Sequence, residues 1–163
     1  MGNKMPIISV IIPAYNSGPY LDEAVQSVIA QTFTDWECVV VDDGSTEDLS
    51  RVEKMDPRVR LICQPNRVTS PARNMGILKS KGESVALLDH DDLRRPGNPE
   101  KQVAAMAASP GAGICHTGFI AKRPPRPSTA TERFAARTVR LGVPRSGKAI
   151  QRANILNTAG KLE

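Results

Sequence analysis

The sequence predicts an α/β domain in which helices flank a mostly parallel β-sheet. Over the first 120 residues, short runs rich in Val and Ile alternate with segments whose apolar residues recur at helical spacing. Aromatic residues make up only 4% of the chain, so the core must be aliphatic, as in a buried parallel sheet. A chain of 163 residues is long enough for one domain with its own hydrophobic core.

The first strand and helix give the clearest pattern. Residues 7–12 form an almost continuous β-branched run, typical of a strand buried on both faces. Turn residues follow, and Pro19 suits the first turn of a helix. Apolar residues then recur at helical spacing through residue 29. A second strand is predicted at 36–41, running directly into Asp42 and Asp43.

The same alternation continues more weakly along the chain. It predicts a short helix at 49–55, helices beginning at Ser70 and Pro99, and strands at 59–63, 84–88 and 113–120. The strand at 84–88 leads straight into a second acidic cluster, Asp89-His90-Asp91-Asp92. Strands and helices in this order indicate βαβ units and therefore parallel strand pairing.

The basic residues are concentrated in the last quarter of the chain. Residues 122–152 carry a net charge of +8, whereas residues 1–121 carry −3. Residues 122–131 are rich in proline, and residues 132–157 show only a weak helical pattern. We therefore predict a folded domain over 1–121, followed at 122–163 by an irregular basic linker or tail of low order. A truncated or frameshifted reading would explain this composition equally well.

Cysteine usage and hydropathy indicate the compartment. Cys38, Cys63 and Cys115 lie far apart without a CxxC pair, so we expect three small buried hydrophobic residues in a reducing compartment. The N-terminus lacks a signal-peptide pattern, and there is no apolar run of about 18 residues. These features predict a cytoplasmic protein, and a peripheral location at the inner face of a membrane is compatible with them.

Both acidic clusters follow predicted strands. In an open parallel sheet, ligands bind beyond the carboxyl ends of the strands, so these carboxylates are expected to converge. Their mutual repulsion favours a divalent cation, and hard oxygen ligands favour Mg²⁺ or Mn²⁺. The alternative is that they are solvated acids at helix N-termini. The sequence contains no GxGxxG after the first strand and no GxxxxGK[ST], which disfavours a dinucleotide site and a P-loop.

Five segments, in this order, resemble the family 2 glycosyltransferases, which have the GT-A fold. They are Ser9–Asn16, Ser27–Phe33, Val39–Ser45, Ala72–Ile77 with Lys81–Glu83, and Asp89–Asp92 followed by Pro96 and Glu100–Val103. The resemblance covers about 115 residues, and Asp89-His90-Asp91 matches the DXD signature of the family. It implies the nucleotide-sugar-binding portion of such an enzyme, in a chain that stops before the acceptor-binding region.

The resemblance also implies roles for residues after the first two strands. Tyr15 would stack on the base of a nucleoside diphosphate sugar, most often uridine, with the backbone of Pro13 and Ala14 beside it. Asp43 would accept a hydrogen bond from the base imide, and Asp42 would lie next to it.

Further along the chain, the resemblance implies residues that handle the ribose and diphosphate. Asp89 would contact the ribose, and Asp91 would bind a Mn²⁺ or Mg²⁺ ion that bridges the phosphates. His90 occupies the middle position of the DXD signature, which varies within the family, and would lie beside the bound nucleotide sugar. Arg73 is expected near the phosphates or the sugar, although a surface arginine on a helix would explain it equally well.

The function implied is an inverting, hexosyltransferase-type glycosyltransferase that acts on a saccharide or lipid-linked acceptor. Its general base is not identified, because Glu132 and Glu163 are the only acids after residue 120 and neither lies in a recognisable motif. Two alternatives stay open: a catalytically silent module that binds nucleotide sugars, and an α/β domain whose basic tail binds nucleic acid. A homo-oligomer is compatible with the sequence.

Overall fold

The computed structural model describes residues 5–66 and 69–117, together with the backbone of two short strands nearer the C-terminus. The strands are β1 (Ile8–Ala14), β2 (Trp36–Asp42), β3 (Val59–Cys63), β4 (Ser84–Leu87), β5 (Ile114–Thr117), β6 (Arg137–Val139) and β7 (Asn154–Thr158). The helices are α1 (Pro19–Ile29), α2 (Thr69–Lys79) and α3 (Asn98–Ala107), and a short 3₁₀ helix spans Ser50–Lys54.

These strands form one sheet in the order β3-β2-β1-β4-β7-β5-β6. Every pairing is parallel except that of β5 with β6, which is antiparallel. In the register of β1 with β2, Ser9 lies opposite Glu37 and Ala14 lies opposite Asp42. The strands β1, β2 and β4 therefore begin together at one end of the sheet and run towards the other, where β4 ends opposite Ile11 and β1 and β2 continue to Ala14 and Asp42. We call these two ends of the sheet the amino end and the carboxyl end.

Helices cover both faces of the sheet, which explains the continuous apolar runs of β1 and β2. Every residue of these two strands is buried. On one face, Val10 and Ile12 pack in a core with Leu21 and Val25 of α1. On the other face, Ile11 belongs to a smaller core that includes residues of α2. The predicted α/β architecture, a mostly parallel sheet with flanking helices, is confirmed.

A glycine brings α2 close to β1. A Cβ atom added at Gly76 would lie 2.3 Å from Ile11 Cγ2 and 3.2 Å from Val41 Cγ2. Real Cβ atoms do not come that close to their neighbours, so only glycine permits this approach of helix to strand. The short distance holds the first turns of α2, including Arg73, against the carboxyl end of the sheet.

The C-terminal region corrects one expectation and leaves another as a prediction. Strands β6 and β7 lie where the sequence showed a weak helical pattern, and their β-branched residues, Thr138, Val139, Ile155 and Thr158, explain the preference for strand. The low order predicted for 122–163 otherwise falls outside the described residues. The domain boundary at residue 121 stays a prediction.

The cysteines also differ from expectation at one position. All three are free thiols; Cys38 and Cys115 are buried as predicted, but Cys63 is exposed. Cys63 is the last residue of β3, the strand at the edge of the sheet, so no neighbouring strand covers it. Burial raises the pKa of the Cys38 thiol to about 12, so this thiol stays protonated at neutral pH.

Arg94 is a charged residue inside the core. It is only 2% exposed, and its Nη1 donates to Gln102 Oε1 at 3.3 Å. Its Nε and Nη2 atoms are buried with no hydrogen-bond partner among the described residues. Burial lowers the pKa of Arg94 to about 10. Its main-chain groups are paired, because its N–H donates to Ser27 Oγ and its carbonyl accepts from Gln31 Nε2.

None of the helices in the described parts of the chain has both the length and the apolar character needed to cross a bilayer.

Candidate nucleotide-sugar site

A cavity of about 300 Å³ lies at the carboxyl end of the sheet, where β1, β2 and β4 finish. The segments after these strands form part of its wall, and the first two turns of α2 form the rest. Among the residues described, three carboxylates and one guanidinium line it. The lining residues are Pro13, Ala14, Tyr15, Asp43, Thr69, Ala72, Arg73, Asp89, His90 and Asp91.

The loop after β1 presents Tyr15 at this cavity. Asn16 follows with a φ of 46°, the left-handed conformation that asparagine tolerates better than most residues. Its N–H donates to Ser45 Oγ at 3.0 Å, and its Oδ1 accepts from the Thr46 N–H at 2.9 Å. These bonds tie the loop after β1 to the loop after β2. Tyr15 is 47% exposed, so its ring is accessible to a ligand.

The adjacent carboxylates Asp42 and Asp43 lie in different environments. Asp42 Oδ1 accepts from the Ser45 N–H at 2.8 Å, which stabilises the turn after β2, and Asp42 does not line the cavity. The N–H of Asp43 donates to the Ala14 carbonyl at 2.8 Å, and its side chain lies on the cavity wall. Asp43 Oδ1 accepts from Gln64 Nε2 at 2.6 Å. Of the two predicted acids, the structure brings only Asp43 to the cavity.

The segment after β4 contributes Asp89, His90 and Asp91 to the lining of the cavity. The Asp92 N–H donates to the Asp89 carbonyl at 3.0 Å, which closes a turn in this segment. His90 Nδ1 lies 3.3 Å from the carbonyl oxygen of Pro13. Proline has no N–H for the strand ladder, and β4 stops pairing with β1 at Ile11, before Pro13. The segments that follow β1 and β4 can therefore separate at this point, which leaves room for the cavity.

Arg73 supplies the one cation among the lining residues that the structure describes. Its Nη2 donates to Asp89 Oδ1, and the two side chains are 34% and 37% exposed. Its Nε is buried and has no hydrogen-bond partner within the described part of the chain. A guanidinium on the wall of an otherwise acidic cavity lowers the repulsion that a phosphate group would meet there.

The residues at the cavity fit a divalent cation only if a phosphate-bearing ligand supplies some of its oxygen ligands. Residues 5–66 and 69–117 contain no group of three or more His, Cys, Asp or Glu side chains that could hold a metal alone. In nucleotide sites Mg²⁺ takes one or two protein carboxylates, and the phosphates and waters complete its shell. Asp89 and Asp91 supply hard oxygen donors of this kind on the cavity wall.

The structure brings eight of the nine candidate residues to the cavity, all except Asp42, and adds neighbours that the sequence does not single out. Thr69 and Ala72 also line the cavity, and Gln64 contacts Asp43 from behind it. Ala72 lies within a segment that carried the family resemblance, so its position could have been expected. Gln64 follows a predicted strand, as Asp43 does, which was the available signal for placing it at the carboxyl end.

Comparisons with known proteins agree with this geometry. The family described as Glycosyl transferase family 2 matches residues 9–159, beyond residue 121, where the resemblance was expected to end. A Bacillus subtilis glycosyltransferase named for teichuronic acid biosynthesis, TuaG, is 37% identical over 111 residues, covering 65% of this chain and 44% of the relative. Glycosyltransferase GlyG of Streptococcus pneumoniae is 40% identical over 92 residues, covering 53% of this chain and 31% of the relative. The chain thus matches less than half the length of either relative.

Two solved structures are similar in fold. Staphylococcus aureus TarS 1–349 in complex with UDP-GlcNAc has a TM-score of 0.64 at 27% identity, covering 77% of this chain and 38% of TarS 1–349. The mannosyltransferase PcManGT of Pyrobaculum calidifontis, in complex with GDP-Man and Mn²⁺, has a TM-score of 0.62 at 26% identity, covering 74% and 37%. The fold is therefore the predicted GT-A fold, and the chain belongs to glycosyl transferase family 2.

Proposed function

We propose that the cavity binds a nucleoside diphosphate sugar, specifically a UDP-sugar, for hexosyl transfer to an acceptor hydroxyl with inversion at the anomeric carbon. The observation that carries this proposal is the convergence of Tyr15, Asp43, Arg73, Asp89 and Asp91 on one cavity. A donor of this class needs an aromatic face, an acceptor for a base N–H, and groups that tolerate a diphosphate. The neighbours solved with UDP-GlcNAc and with GDP-Man support this ligand class.

The nucleoside would bind near the ends of β1 and β2. The exposed ring of Tyr15 offers a stacking face for the base. Asp43 is 4% exposed and lines the same cavity, where its carboxylate would accept a hydrogen bond from an N–H at the edge of a base. Pro13 and Ala14 line the wall beside them.

The ribose and diphosphate would bind between the segment after β4 and α2. Asp89 would accept a hydrogen bond from a ribose hydroxyl, and His90 and Asp91 line the same cavity. Asp91, together with the phosphates, would hold Mn²⁺ or Mg²⁺, which would neutralise charge on the departing diphosphate. Arg73 would contribute a fixed cation to the same region of the cavity.

The acceptor is proposed to be a saccharide or a lipid-linked hydroxyl, used in the cytoplasm or at the inner face of a membrane. The net charge of +8 over residues 122–152 would favour an anionic membrane surface. No described residue is assigned as the general base. A binding module without transfer is the second candidate, and a radiolabelled-donor assay across an acceptor panel separates it from an enzyme.

Isothermal titration with UDP tests the donor site directly. Binding is expected in the presence of Mn²⁺ and should be much weaker with a chelator. Asp91→Ala should abolish most of this metal dependence. Asp43→Ala should weaken UDP about 10- to 100-fold with or without metal, the value of a hydrogen bond to a charged group.

The neighbouring acid provides the matched control. Asp92→Ala changes a carboxylate that does not line the cavity and should keep the metal dependence. Equal UDP affinity with Mn²⁺ and with chelator in the unmodified protein would refute the proposed role of the metal. No UDP binding in either condition would refute the donor site itself.

A further inference from the structure

The segment Ser27–Phe33 carries part of the family resemblance, yet none of its residues lines the cavity. It comprises the last turn of α1 and most of the loop that leads to β2. Two of its side chains contact the backbone of Arg94, which follows the acidic segment 89–92 by two residues. The end of α1 therefore contacts the chain where it leaves the cavity.

Ser27 and Gln31 bind both main-chain polar groups of Arg94. The Arg94 N–H donates to Ser27 Oγ at 3.0 Å, and the Arg94 carbonyl accepts from Gln31 Nε2 at 3.1 Å. Gln31 Nε2 also donates to the Ser27 carbonyl at 2.7 Å, which fixes the amide against α1. Gln31 is buried, and hydrogen bonds are stronger in such surroundings than in water. We call these two side chains the α1 clamp.

The acidic segment 89–92 is thereby anchored at both ends. On its N-terminal side, the Leu88 N–H donates to the Ile11 carbonyl at 3.0 Å. On its C-terminal side, a single residue separates the segment from the clamped Arg94. Fixing both ends of so short a segment restricts the backbone conformations that it can adopt. Asp91 lies three residues from either anchor, so its position depends on both.

A metal ligand tolerates less displacement than a hydrogen-bond acceptor does. Mg²⁺ demands oxygen ligands at about 2.0–2.1 Å in near-octahedral geometry, so a carboxylate that must first be ordered binds it less well. Asp89 depends less on the clamp, because it follows Leu88 directly and also accepts from Arg73. Loss of the clamp should therefore weaken metal binding at Asp91 before it weakens contacts to the nucleoside.

We propose that Ser27 and Gln31 are positioning residues that, through the backbone of Arg94, hold Asp91 where it and the phosphates of a bound nucleotide share a divalent cation. This inference rests on the proposed nucleotide site and goes beyond it, because it gives a role in ligand binding to residues outside the cavity. Neither clamp residue touches the ligand, and both act through Arg94.

Gln31→Met tests the clamp, because methionine keeps the approximate length of the side chain and donates no hydrogen bond. Gln31 Oε1 is buried with no hydrogen-bond partner among the described residues, so an apolar replacement relieves that cost and the variant is expected to fold. In isothermal titration of the full chain with Mn²⁺, its UDP dissociation constant should rise about 3- to 10-fold, the value of one hydrogen bond. With chelator, the same constant should change by less than about twofold.

Three further variants control for the position and chemistry of the change. Gln26→Met makes the same substitution on the exposed side of α1 and should leave UDP affinity unaltered in both conditions. Ser27→Ala removes the acceptor of the Arg94 N–H and should act like Gln31→Met. Ser27→Thr keeps a hydroxyl group and should retain the metal dependence. Thermal melting of each variant checks that it is folded.

Amide hydrogen exchange gives a readout in the absence of metal and nucleotide. Exchange in a peptide covering residues 89–94 should be faster in Gln31→Met than in the unmodified protein, because one anchor of the segment is lost. Exchange in residues 43–48, the loop after β2, should be the same in the two proteins and serves as the internal reference. A change confined to 89–94 is not expected from a general loss of stability.

The outcomes separate this inference from the proposed function. A smaller effect of Mn²⁺ on UDP affinity in Gln31→Met, together with faster exchange at 89–94, supports it. An unchanged effect of Mn²⁺ in Gln31→Met overturns the role of the clamp and leaves the donor site in place. Equal weakening with Mn²⁺ and with chelator overturns it as well, because such a loss is general to the cavity. An unmodified protein that binds no UDP, or binds it equally in both conditions, overturns the proposed function of the site or its metal, and this inference with it.

Discussion

The two ends of the sheet each carry a carboxylate paired with an arginine, but the two pairs are built differently. At the amino end, Glu37 Oε1 accepts from Ser9 Oγ at 2.6 Å and from the Lys81 N–H at 2.5 Å. Its Oε2 accepts from Arg60 Nη2 at 2.9 Å, and the Glu37 side chain is only 9% exposed. At the carboxyl end, Asp89 pairs with Arg73, and both side chains are about one-third exposed.

Closure of the amino end depends on a close backbone approach. The Gly82 N–H donates to Ser9 Oγ at 2.8 Å, so Ser9 links Gly82 to Glu37. A Cβ at Gly82 would lie 2.6 Å from the Ser9 nitrogen, which leaves no room for another residue type. The carboxyl end lacks such closure because the loop after β1 and the segment after β4 separate around the cavity. A buried carboxylate that accepts from three donors stabilises the fold, whereas a carboxylate that is one-third exposed beside a cavity is available to a ligand.

The largest expected effect on stability is at the amino end. Glu37→Ala should lower the free energy of unfolding by about 2–4 kcal/mol, because it leaves the hydroxyl of Ser9 and the N–H of Lys81 without their acceptor and removes the partner of Arg60. Urea denaturation followed by circular dichroism measures this change. Glu83→Ala, an exposed glutamate next to the same network, should cost less than about 0.5 kcal/mol. Similar losses in the two variants would contradict the importance of the network.

The next effect concerns Arg94, which follows the acidic segment 89–92 and has no carboxylate partner among the described residues. A pKa lowered from 12.5 to about 10 corresponds to about 3 kcal/mol of unfavourable burial at neutral pH. Arg94→Leu should therefore raise the free energy of unfolding by about 1–3 kcal/mol, as when buried charges are replaced by apolar residues. Arg95→Leu, on an exposed neighbour, is the control. A destabilised Arg94→Leu protein would show that Arg94 has a compensating partner.

The sequence predicted the strands far better than it predicted these two ends. Strands β1 and β2 are buried on both faces, so their apolar runs are continuous and easy to recognise. Acids that follow strands point to the carboxyl end, which explains why Asp43, Asp89 and Asp91 could be placed there. The weak pattern of residues 132–157 allowed no comparable inference, and strands were found where helices had been considered.

The finer arrangement depends on register and packing, which the sequence does not reveal. Asp42 and Asp43 are adjacent acids with the same local signal, and only the alignment of β2 with β1 decides which one lines the cavity. Glu37 lies 28 residues from Ser9 and 44 from Lys81, so no local pattern could join them. Gln64 meets Asp43 because β3 pairs with β2 one residue beyond the predicted strand.

Acid titration sharpens the comparison at the amino end. Burial by itself would raise the pKa of Glu37, but hydrogen bonds from Ser9, the Lys81 N–H and Arg60 together outweigh it and hold the pKa below its ordinary value near 4.5. A lowered carboxyl pKa adds stability that is present above the unfolded-state pKa and is lost as the pH falls through the folded-state pKa. Below about pH 4.5 the unmodified protein should therefore lose stability more steeply than Glu37→Gln. Parallel acid-unfolding curves would contradict this contribution.

The smallest effect on stability, and the sharpest contrast with Glu37, is expected for Asp89 at the carboxyl end. The Asp89–Arg73 pair is about one-third exposed, so water and salt screen it, and such pairs contribute no more than about 1 kcal/mol. Asp89→Asn also removes one of the negative charges that line the cavity together with Asp43 and Asp91. The weaker repulsion among these carboxylates offsets part of the stability lost with the Asp89–Arg73 pair.

We therefore expect Asp89→Asn to change the free energy of unfolding by less than about 1 kcal/mol while weakening UDP binding, because Asp89 is proposed to contact the ribose. Glu37→Gln is the matched acid-to-amide change at the amino end, and it should do the opposite: lower stability and leave UDP affinity unaltered in the folded protein. Urea denaturation and titration with UDP and Mn²⁺ on the same preparations give both quantities. If Asp89→Asn destabilised the fold as much as Glu37→Gln, the carboxyl-end pair would be structural, and the division between the two ends of the sheet would be wrong.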